Sequence, residues 1–166
     1  SVKGAVLSKD KFKYYSIQGN NALWNFPFCS DKFPFEEHIT THGDFDRRWP
    51  LPKTNLGLNL RFFIRGFHTA LLELKVAAML QFPSVQLTLV NSKMDNLTTL
   101  TVKEDSNSER SVLKKTDFNI SLSYWEWEEF VLNVDGPSLE LFWVKDSRPV
   151  SVLHLTYPTI KSCKWY

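Results

Sequence analysis

The residues best equipped for chemistry crowd into one short stretch. Between Glu36 and Asp46 lie two histidines, His38 and His42, and four carboxylates, Glu36, Glu37, Asp44 and Asp46. The pair His42-x-Asp44 has the spacing that opens the two-histidine, one-carboxylate facial set of non-haem iron oxygenases, which leaves metal positions open for oxygen and cosubstrate. His154, late in the chain, could supply the third ligand. Asp44 and Asp46 with backbone carbonyls could hold calcium instead, since that ion takes a shell of hard oxygens. The competing reading is a solvated acidic loop. His-x-Asp is short and recurs by chance, so the expectation is of no cofactor, with calcium the one ion to look for.

Other catalytic patterns are thin. No Gly-x-Ser-x-Gly elbow and no Gly-x-Gly-x-x-Gly phosphate loop occurs. Glu128 and Glu129 would point to opposite faces of a strand. Glu126 and Glu128 would share one, and a glycosidase needs two carboxyls on either side of one bond. A solvent-facing acidic edge explains that pair as well. The tryptophans offer more. Trp125 and Trp127 would project from one strand face as a platform for sugar rings or an apolar ligand, although core packing is the commoner use of an indole. Trp49 follows Arg47 and Arg48 in a loop, where burial is less automatic. These five residues are the expected ligand-binding set.

Cys29 and Cys163 lie near opposite ends of the chain. A bridge between them would close a loop of well over a hundred residues and, on chain entropy, stabilise the fold by about 4–5 kcal/mol. Two buried thiols are the alternative. Two glycosylation sequons, Asn96-Leu97-Thr98 and Asn119-Ile120-Ser121, and a start at Ser1 rather than Met point the same way as the even cysteine count. The expectation is a secreted or extracellular protein.

Composition narrows the partners. The formal net charge is +2, and Arg47-Arg48 and Lys114-Lys115 are isolated basic pairs, so no field favours nucleic acid. The longest apolar run, Ala70 to Phe82, is broken by Glu73 and Lys75 and falls short of the roughly 18–20 residues a membrane helix needs. A glycan or a protein partner is left, without membrane insertion.

The elements that must position these residues read as strands. Aromatics reach 14% of the chain, a share that pleated surfaces favour. Strand-like runs are Phe12–Gln18, Ala22–Phe26, Leu58–Arg65, Ala70–Leu80, Val85–Val90, Leu97–Lys103, Phe118–Ser123, Glu126–Val134, Ser138–Val144 and Val150–Tyr157; Ala70–Leu80 is also rich in helix formers, which leaves a helix as its alternative. Val85, Leu87 and Leu89 alternate with Gln86 and Thr88, the two-residue period of a half-buried strand. Asp135-Gly136-Pro137 marks a hairpin, and Ser147-Arg148-Pro149 a further turn. Between residues 27 and 56, Pro27, Pro34, Pro50 and Pro52 indicate an irregular segment. Nine or ten short strands without interleaved long helices predict one all-β domain over residues 1–166: an antiparallel β-sandwich, jelly-roll or concanavalin-like, with room for one short helix.

Two stretches carry a resemblance. The run WEWEEFVLNVDGPSLELFWV, from Trp125 to Val144, resembles laminin-G-like and other concanavalin-like domains: a Trp-led strand, an Asp-Gly turn, then a second amphipathic strand. The stretch from LLELKVAA through VQLTLV to DNLTTLTVKEDSNSERSVLKK resembles the farnesoic acid O-methyltransferase-like domain, with Asn107, Ser108 and Arg110 in its polar segment and Trp165 as a terminal Trp. The likeness covers about residues 60–166. Both families imply extracellular recognition of glycans or proteins, and neither implies methyl transfer here. The expected function is a non-catalytic binding module. The alternatives are a metal-dependent enzyme built on His42 and Asp44, or an assembly domain of a larger receptor or coat.

Overall fold

The structure is a computed structural model. It describes residues 14–20, 22–26, 36–39, 49–50, 53–54, 57–75, 84–106, 109–118, 122–135 and 138–156. Along the chain these form Tyr14–Gly19 (β1), Leu23–Phe26 (β2), Glu36–Ile39 (β3), Trp49–Pro50 (β4), Lys53–Thr54 (β5), Gly57–Arg65 (β6), Thr69–Lys75 (β7), Ser84–Ser92 (β8), Leu97–Ser106 (β9), Glu109–Phe118 (β10), Glu128–Asp135 (β11), Ser138–Lys145 (β12) and Arg148–Thr156 (β13). There is no helix among the described residues.

The strands build two antiparallel sheets, the expected β-sandwich. One has the order β10-β9-β8-β7-β1-β4, the other β13-β12-β11-β6-β2-β3, with β5 also paired to β6. Period-two patterning explains the core between them. Ala70, Leu72 and Leu74 of β7 and Val85, Leu87 and Leu89 of β8 are buried, and so are Phe130, Leu132 and Val134 of β11. A one-residue slip would turn each set outward, so these patterns fix the register. An aromatic cluster fills the middle. Trp24 and Phe26, two apart on β2, present their rings to the same side at 5.9 Å. Phe62 meets Trp24 at 5.8 Å and Phe130 at 5.6 Å. Trp24 is therefore a core residue.

Two turns follow their chemistry. Asp135 pairs with Ser138 across the expected hairpin, and Gly136 and Pro137 lie outside the described residues. Lys145 pairs with Arg148. The tip between them is Asp146-Ser147, both left-handed at φ 51° and 62°, as a type I′ hairpin turn requires. The turn thus sits one residue before the expected one, and Pro149 lies inside edge strand β13, where its missing N–H costs no ladder bond.

Three expectations need correction. The segment 27–56 is not wholly irregular: it contributes β3, β4 and β5. Of the strand expected over 118–123, Phe118 belongs to β10, Leu122 and Ser123 lie outside any strand, and 119–121 lie outside the described residues. No strand was expected over 109–117, where β10 runs through Arg110 and the basic pair, with Lys114 and Lys115 exposed.

Edge strands β10 and β13 each carry a bulge, at Leu113 and at Val152, and both of these residues pack on the core. Lys114 Nζ donates to the His154 carbonyl at 2.8 Å, so the two sheets meet along this flank. On the outer face of β7, Glu73 and Lys75 are buried as an ion pair at 2.8 Å, and Gln86 Nε2 donates to Glu73 at 2.6 Å.

Candidate functional site

One end of the sandwich gathers three connections: residues 66–68 between β6 and β7, 93–96 between β8 and β9, and 122–127 leading into β11. A side chain ties them together. Asn91, fully buried at the end of β8, donates from Nδ2 to the Leu122 carbonyl at 3.0 Å. Its Oδ1 accepts the Leu122 N–H at 3.1 Å and the Thr98 hydroxyl at 3.4 Å. The carboxamide thus gives Leu122 what a neighbouring strand would give, an acceptor and a donor together. Lys93 adds a second donor to the Leu122 carbonyl at 2.8 Å. The backbone of Asn91 is held in turn: its N–H donates to the His68 carbonyl at 2.8 Å.

The segment after Leu122 is equally tied. Ser123 Oγ accepts the N–H groups of Trp125 and Glu126, each at 3.1 Å, a local side-chain turn that diverts the backbone from strand geometry. The Ser123 N–H donates to Glu128 Oε1 at 3.0 Å, and Trp143 Nε1–H donates to Glu128 Oε2 at 3.0 Å. Glu128 faces inward at the first position of β11 and is only 6% exposed. Both of its oxygens therefore serve structure.

This loop holds an indole out to solvent. Trp125 is 87% exposed. Around it, Trp127 is half-buried beneath the Arg65 guanidinium, which sits 4.7 Å from the ring centroid. Lys93 Nζ stands 4.8 Å above the Tyr124 ring. Met94, on the turn that Lys93 opens, is 99% exposed. The same end of the molecule thus holds two cation-capped rings and two exposed apolar side chains. Cation–π pairs of this kind hold rings in place at an exposed site by about 0.5–1 kcal/mol each.

The expected binding residues are distributed differently from the sequence reading. Trp125 and Trp127 do not form a strand platform, because β11 begins only at Glu128 and the Ser123 hydroxyl bends the chain before it. Glu126 is exposed on that bend while Glu128 is buried, so they do not flank an open cleft. Glu128 and Glu129 do face opposite ways: Glu129 lies on the outer face, bonded to Arg61 at 2.5 Å. Trp49 is not in a loop but in the two-residue strand β4, opposite Tyr15. Arg47 and Arg48 lie outside the described residues, as do His42, Asp44 and Asp46, Cys29 and Cys163, and Asn119. His154 is exposed on β13, 3.5 Å from Glu140. Among the described residues no three His, Cys, Asp or Glu side chains converge as metal ligands. Asn96 is exposed on the turn beside Met94, with φ 50°.

Asn91, Lys93, Arg65 and Met94 were missed by the sequence reading. Met94 alone left a signal: an apolar residue in an otherwise polar turn, Ser92 to Asn96, between two alternating strands. Compared with family models, with curated proteins and with solved structures, the chain matches none.

Proposed function

We propose that the chain is an extracellular, non-catalytic binding module that recognises a glycan or protein partner through the Trp125 loop. The observation that carries this reading is an almost fully exposed indole on a loop fixed at both ends by hydrogen bonds. A ring that only filled space would turn inward. One held outward on ordered backbone binds with little left to order, and preorganisation of that kind raises affinity. Tryptophan is among the residue types enriched at interface hot spots. Arg65 and Lys93 add cationic donors to the rim.

The test compares wild type with Trp125→Ala on a glycan array and in pull-downs from extracellular fluid. The exposed site predicts an unchanged fold, within about 0.5 kcal/mol. Binding should weaken by 2 kcal/mol or more, about thirtyfold. Equal binding by the two proteins would refute the reading.

A further inference from the structure

The sequon that begins at Asn96 lies on the same end of the molecule as the Trp125 loop. Asn96 closes the turn 93–96, where its N–H donates to the Lys93 carbonyl at 3.4 Å, and it is exposed. The third sequon residue is the opposite case. Thr98 is fully buried, with its hydroxyl donating to Asn91 Oδ1 at 3.4 Å. An oligosaccharyl transferase must reach the whole Asn-x-Thr triplet, so the acceptor is available only before β9 pairs with β8 at Asn91 and Thr98. After folding, Asn96 remains exposed on its turn. The turn is not independent of the recognition loop. Lys93 bonds the Leu122 carbonyl and covers Tyr124, which fixes the two connections side by side.

We propose that Asn96 carries an N-linked glycan that borders the Trp125 loop and narrows the approach to it. The proposal rests on the extracellular setting proposed above. In the transfer, Asn96 Nδ2 forms a bond to C1 of the first sugar of a lipid-linked diphosphate oligosaccharide. The bond from C1 to the diphosphate oxygen breaks, the lipid diphosphate leaves, and the amide loses one proton. The finished glycan leaves Trp125 to be approached from the side of Trp127 and Arg65.

The experiment expresses the full chain behind a secretion leader in eukaryotic cells and maps glycopeptides by mass. Asn96 is expected to be occupied, Asn96→Gln to lose that glycan, and Thr98→Ser to keep it. The folded, unmodified chain offered to microsomes should stay unmodified, because Thr98 is buried. Acrylamide quenching of Trp125, read as wild type minus Trp125→Phe, should increase in Asn96→Gln and after enzymatic removal of the glycan from folded protein, a route that does not depend on the variant folding. An unmodified Asn96 peptide, or quenching that is equal with and without the glycan, overturns the proposal. Partner binding by unglycosylated chain, with and without Trp125→Ala, tests the loop reading separately, so the two can fail independently.

Discussion

A carboxamide carries an acceptor and a donor on neighbouring atoms, the same pair that a peptide unit offers. That is why Asn91 can stand in for a strand beside Leu122. Asn91→Ala keeps the volume change small but leaves a buried N–H without its acceptor, while the carbonyl keeps Lys93. The expected loss is about 1–3 kcal/mol, read from urea midpoints. Glu128 makes a sharper case. A carboxylate accepts from Ser123 and from Trp143 at once; the amide of Glu128→Gln has one acceptor and must turn its NH2 toward the other donor. A loss of about 1–3 kcal/mol is expected, with the near-ultraviolet signal of Trp143 altered. A variant as stable as wild type would mean that the two bonds contribute nothing net.

At the scale of elements, the hairpin between β12 and β13 is open to improvement. Asp146 and Ser147 both occupy the left-handed region, which strains a side chain that has a Cβ. Asp-Gly is the preferred tip for such a turn. Ser147→Gly should therefore stabilise by up to about 1 kcal/mol, visible as a higher urea midpoint at unchanged slope. The same scale shows what the sequence made legible. Strands β8 and β11 could be read because Leu, Val and Phe recur every second residue and that face is buried. β10 could not: its exposed residues Val112, Lys114 and Lys115 and its bulge at Leu113 break the period of an edge strand. The Trp125 bend was misread for a related reason. Trp125 and Trp127 alternate with Glu126 and Glu128, out of phase with Phe130, Leu132 and Val134, and that slip does not itself show that the Ser123 hydroxyl will capture two amides. Contacts such as Lys93 with Leu122 join positions 29 apart, which no period within one element encodes.

For the molecule as a whole, the end opposite the candidate site carries a titrating residue. Glu104 shares the core-facing side of β9 with Leu100 and Val102, and burial raises its carboxyl above the ordinary 4.5. The fold thus favours the protonated form. The stability this provides is complete below the ordinary value and is lost as pH rises through the raised one. Glu104→Gln should accordingly melt higher than wild type near about pH 7, with the gap closing toward about pH 4. A gap that does not change with pH would assign the effect to packing.

The flank where β10 meets β13 also bears on how copies of this chain behave together. An uncovered row of amides and carbonyls is a template on which another polypeptide can zip up. Here Pro149 withholds a donor from that row, and the ammonium of Lys114 already occupies the His154 carbonyl. Concentrated solutions should therefore not grow fibrils by addition at this seam, and Lys114→Ala together with Pro149→Val, which restores the row, should shorten the lag before thioflavin-positive material forms.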